Sequence, residues 1–203
     1  MKKRFRFISA LCVLVSVLAL AACGGSRTAV DEQPEASVRG ESKTLVAYFS
    51  WSGNDRQMAR WIADETGADL FRIVPKESYG NDYNAVADRA KAEKESGTRP
   101  ELSTHIDEET MKNYDVIYLG FPIWWYDLPT PVWSFLEEYD LSGKTIIPFF
   151  SHAGSSDGAN SLTRISELAK GAEVLSDKAL SIRGSSVASS EEKVREWAKE
   201  NGR

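Results

Sequence analysis

The chain has 203 residues, 42% of them hydrophobic, with six Trp. That length favours one folded domain over two, and the apolar content supports a real core, which argues against wholesale disorder. The formal net charge is −5 and no basic stretch interleaves with aromatics, so nucleic acid is not an expected partner.

The first segment is not part of a fold. Lys2, Lys3, Arg4 and Arg6 make a basic start, and Ile8–Leu20 is an apolar run too short to span a bilayer comfortably. It ends in Leu20-Ala21-Ala22-Cys23, which resembles the lipobox of bacterial lipoproteins, where the Cys is lipidated and the bond before it is cut. Residues 1–22 are therefore read as a lipoprotein signal peptide and Cys23 as the site of a membrane anchor, with the rest of the chain outside the cytoplasm. Loss of residues 1–22 removes four positive charges and leaves a net charge of −9, which disfavours close association with anionic lipid. Cys12 leaves with the signal and Cys23 carries the lipid, so no thiol remains for a disulfide, a metal site or a nucleophile. The basic start has no Arg-Arg pair, which points to export of an unfolded chain and to acquisition of any cofactor after export. Gly24 offers no inner-membrane retention signal of the Asp type. Gly24 to Ser42 lacks aromatics and is rich in Gly, Ser, Glu and Pro. Residues 23–42 thus read as the lipidated Cys and a tether with a mean reach of roughly 22–26 Å.

Residues 43–203 form the domain. Thr44–Ser50 is an apolar run suited to a strand buried on both faces. Asn54–Thr66 carries Met58, Ala59 and Ile62 at helical spacing and stops at Gly67. Leu70–Val74 is a second strand ended by Pro75, and Tyr83–Glu95 a helix. Val116–Phe121 is the third strand, and Val132–Tyr139 a short helix with Pro131 near its first turn. Thr145–Phe150 is the fourth strand, Ser161–Ala169 a helix and Ala179–Ile182 a short fifth strand. The last helix runs from about Ser190 to Asn201, with a capping box expected in Ser189-Ser190-Glu191-Glu192 and a buried face of Val194, Trp197 and Ala198. Strands alternating with helices predict an α/β doubly wound parallel sheet of five strands with helices on both faces. Five strands suit the flavodoxin-like order better than a six-stranded dinucleotide fold, and ligands in such sheets sit at the carboxyl ends of the strands.

Three loops at those ends carry the candidate chemistry. After strand one come Ser50, Trp51, Ser52, Gly53, Asn54 and Asp55, two hydroxyls and a Gly immediately before a helix start. A phosphate fits free N–H groups and a positive dipole end; an ordinary turn capped by Ser52 is the other reading. Neither a G-x-x-x-x-G-K nor a G-x-G-x-x-G motif is present. After strand three, Pro122-Ile123-Trp124-Trp125-Tyr126 concentrates aromatics suited to a flat ring. One of the two Trp is expected to pack onto neighbouring helices and the other to face the ligand. After strand four, Ser151, His152, Gly154 and Ser155 lie in a small polar loop that reads as a ligand edge or as a flexible connection. A lone His is more often structural than catalytic, so neither His152 nor His105 is assigned a catalytic role.

Five segments in order carry a resemblance: TLVAYFSWSGND, VPKESYGNDYN, RPEL at 99–102, YLGFPIWWYDLPTPV and GKTIIPFFSHAGSS. Together they resemble the flavodoxin-like family found in bacterial lipoproteins and small flavin reductases. The resemblance implies non-covalent FMN, with Ser50, Ser52, Gly53 and Asn54 at its phosphate, Pro122, Ile123, Trp124 and Trp125 along its ring, and Ser151, His152, Gly154 and Ser155 on a third side. It also implies an electron carrier or a flavin-dependent reductase of quinones or similar small acceptors, working with a redox partner. Two positions depart from the family pattern: Asp55 stands where a Thr closes the phosphate loop, and Tyr126 where a Gly commonly follows the second Trp. An ionised Asp can only accept hydrogen bonds and would repel a phosphate. Asp55 is therefore expected to occupy part of the anion site and lower FMN affinity, and Tyr126 either to crowd the ring or to swing out to solvent. Both departures keep open a binding or scaffolding lipoprotein with little or no flavin.

Overall fold

The computed structural model describes residues 42–154 and 156–202. Residues 1–41, where the signal peptide, the lipidated Cys23 and most of the tether are expected, lie outside the described residues, as do Ser155 and Arg203.

Apolar β-branched and aromatic runs form the strands, and they hydrogen-bond in parallel throughout. The elements are β1 (Thr44–Tyr48), α1 (Asn54–Thr66), β2 (Asp69–Arg72), α2 (Tyr83–Ser96), α3 (Glu108–Lys112), β3 (Val116–Pro122), α4 (Thr130–Glu138), β4 (Thr145–His152), α5 (Ala159–Leu168), β5 (Glu173–Val174), β6 (Leu180–Arg183) and α6 (Glu191–Asn201). The sheet order is β2-β1-β3-β4, with β5 and β6 both paired to β4. β5 meets the start of β4, Thr145 opposite Glu173, while β6 meets its end, from Phe149 opposite Leu180 to His152 opposite Arg183. The expected fifth strand at Ala179–Ile182 is β6, and the two-residue β5 is an addition that precedes it, separated by a 3-10 turn at Ser176–Lys178. The edge position keeps the five-stranded order.

Alternation along the strands builds two cores. Leu45, Ala47, Leu119, Phe121, Ile146 and Phe150 face one side with α4 residues such as Val132 and Phe135. Val46, Tyr48, Tyr118, Ile147 and Phe149 face the other, with Met58 and Ile62 of α1 and Val194 and Ala198 of α6. Each Val, Leu, Ile, Met or Phe among them contributes roughly 1.5–3 kcal/mol on full burial, and two-sided burial is what a parallel sheet requires.

Three local outcomes differ from the sequence expectation. The capping box at α6 does not form: the Ser189 and Ser190 hydroxyls donate back to the Ser186 carbonyl at 3.1 and 2.7 Å, inside a 3-10 segment over Gly184–Ser189. The Ser190 hydroxyl is thus turned back toward the preceding 3-10 segment as a donor and accepts no helix-start N–H. α3 is an additional helix, too short to show a period, with Asp107 accepting from Thr110 N–H at 2.9 Å. The segment after α2 returns to the end of β2, where Lys76 N–H donates to Glu101 and Ser103 N–H to Val74, so RPEL at 99–102 is part of a small antiparallel clasp. No helix among the described residues is long and apolar enough to cross a membrane.

Candidate functional site

The carboxyl end of the sheet gathers the three expected loops. After β1 the backbone turns at Gly53, whose φ of 92° suits only Gly, and Gly53 N–H donates to Ser50 Oγ at 3.2 Å. The first helical bond of α1 is Gln57 N–H to the Gly53 carbonyl, so the N–H groups at the start of α1 lie ahead of the helical ladder at its positive end. The Ser52 hydroxyl sits 3.5 Å from Asn54 N, too far to cap strongly. Gly184 backs onto this loop: a Cβ there would lie 2.7 Å from the Asn54 amide nitrogen.

Asp55 corrects the sequence expectation. Its carboxylate is fully buried and turned toward the end of β4, where Oδ1 accepts from Ser151 N–H and Oδ2 from Ser151 Oγ, both at 2.9 Å. It therefore does not occupy the anion site. The reason is helical phase: Asp55, Met58, Ala59 and Ile62 form one buried stripe of α1, facing the sheet. Burial pushes the Asp55 carboxyl up to about 7, and the bonds from Ser151 oppose that rise.

β3 runs on through Pro122, and Ile123 N–H donates to the Ser151 carbonyl at 2.8 Å. Trp124 and Asp127 then exchange two backbone bonds around a two-residue turn. Trp125 (φ 48°) and Tyr126 (φ 61°) both take the left-handed conformation of that turn, which normally selects Asn and Gly. The turn separates the rings. Trp124 packs edge-on against Phe49 and Tyr79, with centroids at 5.2 and 5.1 Å. Trp125 is 41% exposed and Tyr126 55% exposed, so Tyr126 swings out to solvent. α2 holds the turn in place: Trp125 Nε1 donates to the Ala87 carbonyl, and Lys94 Nζ to the Trp125 carbonyl. Asp127 is buried beneath, within 3.7 Å of Lys94 Nζ and 3.5 Å of Arg164 Nη2.

On the third side, Pro122 and Ser151 are buried at paired positions of β3 and β4. His152 is half-buried. Its Nδ1 is buried without a hydrogen-bond partner among the described residues. Burial and then the nearby Arg183 guanidinium hold His152 below the usual imidazole range. Arg183 Nη2 donates to the Ala153 carbonyl at 3.1 Å and lies where only a Gly at 154 fits, 2.9 Å from a Cβ placed there.

These segments enclose a cavity of about 280 Å³. The structure brings Trp51, Ile123, Trp124, Trp125 and His152 together around it, with Tyr126, Ala153 and Ser156. Ser50, Ser52, Gly53 and Asn54 form the adjoining helix-start loop and are not among its lining residues; Pro122, Ser151 and Asp55 lie behind it, and Gly154 is exposed beside it. The fourth wall is α2, through Tyr83, Val86, Ala87 and Ala90. The sequence reading missed it, although the small residues Ala87 and Ala90 beside Val86 mark a helix face able to approach a flat group. Trp51 is tied to the approach of this helix, its Nε1 donating to the Gly80 carbonyl at 2.8 Å.

A parallel sheet of this order, with a helix-start loop beside an aromatic cavity at its carboxyl end, defines the flavodoxin-like class. The flavodoxin family profile matches residues 43–201, and the chain belongs to that family. Among solved structures it is similar to a candidate flavoprotein of Bacteroides uniformis, at 32% identity with a TM-score of 0.64, covering 78% of this chain and 98% of that one. It is similar also to a candidate flavoprotein of Bacteroides eggerthii, at 28% identity with a TM-score of 0.59, covering 75% and 98%. A third similar structure is a flavoprotein of Lactobacillus acidophilus in complex with FMN, at 27% identity with a TM-score of 0.56, covering 72% and 96%. No curated protein matches the chain.

Proposed function

We propose that this protein binds FMN without a covalent bond and works as a redox lipoprotein, either as an electron carrier or as a flavin-dependent reductase of quinone-type small acceptors. One observation carries the reading: a cavity lined by Trp51, Trp124 and Trp125 adjoins a helix start whose N–H groups lie ahead of the helical ladder. The orphaned His152 Nδ1 adds a polar atom suited to the edge of a ring ligand. The FMN complex of the similar Lactobacillus acidophilus protein supports the same cofactor.

When bound, the flavin supplies the electron transfer, and the protein binds, orients and tunes it. The N–H groups at the start of α1, the Ser50 and Ser52 hydroxyls and the Asn54 amide would hold the phosphate. Trp124, Trp125 and Ile123 would line the ring, with His152 and Ala153 on its third side. Neutral His152 is able to offer a hydrogen bond without adding charge.

Cys23 and the lipobox-like Leu20–Cys23 support a membrane-anchored, extracytoplasmic location. Reduced nicotinamide is expected to be scarce there, which favours a carrier or a reductase fed by a membrane partner. A processed net charge of −9 suits docking to a basic partner surface, weakened by salt. The second reading, a flavin-poor binding or scaffolding lipoprotein, rests on the strained Tyr126 at the cavity mouth. It no longer draws support from Asp55, whose carboxylate is engaged by Ser151. To separate the two readings, FMN is added to the purified protein, excess is removed and a visible spectrum recorded. Retained flavin with quenched fluorescence supports the redox reading; colourless, folded protein supports the second.

A further inference from the structure

Asp55 is the most deeply buried carboxylate among the described residues, and both its oxygens serve one residue 96 positions away. Ser151 offers Asp55 its N–H and its hydroxyl, and its carbonyl accepts from Ile123 N–H. The chain of bonds Asp55–Ser151–Ile123 therefore joins the roots of all three loops. Asp55 belongs to the helix start, Ser151 opens the third loop and Ile123 opens the aromatic turn. Behind Ile123 stands Pro122, which has no N–H and is paired with Ser151 in the sheet.

We propose that Asp55 is a positioning residue that ties the three loops into one rigid cradle, so that the fit of the ring depends on a side chain at the phosphate end. This proposal rests on the FMN reading above. Asp55 touches neither the cavity nor the outward face of the helix-start loop, so its effect on a ligand passes through Ser151. A carboxylate accepts from both Ser151 groups at once, whereas a Thr at this position carries a single hydroxyl on a shorter side chain. Burial works against the ionised form of Asp55, and the two bonds from Ser151 offset that cost only in part.

Asn in place of Asp55 preserves the tie without charge: its carbonyl oxygen accepts from Ser151 N–H, and its amide donates to Ser151 Oγ. The test uses the full chain and the variants Asp55→Ala, Asp55→Asn and Ser151→Ala. Each is titrated with FMN and with riboflavin, which lacks the phosphate, and amide exchange is followed at Ile123 and Ser151 in the flavin-free protein. Asp55→Ala is expected to weaken riboflavin and FMN alike, by about tenfold or more, and to speed exchange at both amides. Asp55→Asn is expected to stay within about threefold of the wild type for riboflavin. Ser151→Ala removes one of the two bonds and gives a smaller loss for both flavins, an outcome that serves even where Asp55→Ala does not fold. Unchanged riboflavin affinity in Asp55→Ala, or an Asn variant as weak as the Ala variant, overturns the proposal. Should the wild type bind neither flavin, the FMN reading fails, and the exchange rates decide the tie alone: faster in Ala and restored in Asn supports it, unchanged overturns it.

Discussion

The two halves of the candidate site are built on opposite principles. The root, made of Ser50, Ser52–Asp55 and Ser151, is polar and tied by hydrogen bonds, and its one left-handed residue is Gly53. The rim, at Trp125 and Tyr126, is aromatic and exposed, and its left-handed residues are bulky ones that occupy such a conformation at a cost of about 1 kcal/mol or more each. At the root, strain is avoided so that backbone donors keep their aim. At the rim, strain is accepted and large rings are presented at the mouth, held from behind by Lys94 and the Ala87 carbonyl. Root changes should therefore alter the fold and binding together, and rim changes should alter binding with little loss of stability.

The largest effect lies in the strand beneath the root. A Cβ on Gly120 would lie 2.2 Å from the buried Phe149 ring. Gly120→Ala is expected to destabilise by about 3 kcal/mol in denaturant titrations, since a packed ring has little room to move. Next comes Asp55, whose carboxyl titrates near 7 when folded against 3.8 when exposed. The folded state then binds more protons across that window, so stability falls as pH rises from about 4 to 7. Asp55→Asn should be the more stable protein at pH 8, on the order of 2 kcal/mol, with the gap closing toward pH 4; thermal melts of both across pH 4–8 check the sign. Gly53→Ala, at φ 92°, should lose about 1–2 kcal/mol and weaken flavin binding with it. The smallest change sharpens the comparison from the other side. Tyr126→Gly relieves a left-handed Tyr at an exposed position and should gain up to about 1 kcal/mol in Tm-derived stability while shifting flavin affinity by only a few-fold. A loss of stability in that variant would mean the Tyr126 ring is held by contacts that outweigh its backbone strain.

Much of this arrangement was legible in the residues. Buried strands announced themselves as apolar runs, and Gly67 and Pro131 marked helix ends correctly. Asp55 was misread because its chemistry was considered apart from its phase; the stripe of Met58, Ala59 and Ile62 extends back to it at helical spacing. β5 has two residues and α3 five, too few for a period to declare itself. The place of Arg183, and the partner of the small-residue face on α2, depend on contacts distant in sequence. Sheet register sets Arg183 opposite His152, and tertiary packing turns Val86, Ala87 and Ala90 toward the aromatic turn. Both Trp124 and Trp125 line the cavity, where only one of them was expected to, because they sit on a two-residue turn whose left-handed members are not the residues that usually signal it.

The central claim is that a ring-and-phosphate ligand, FMN, spans the two halves. Its most direct test is a fluorescence titration of the purified protein with FMN and with riboflavin under the same conditions. The account predicts saturable, one-to-one quenching of FMN and weaker binding of riboflavin, since the helix-start loop then has no phosphate to hold. Equal affinity for the two would remove the phosphate role of Ser50–Asn54, and no binding of either by a folded protein would contradict the claim outright.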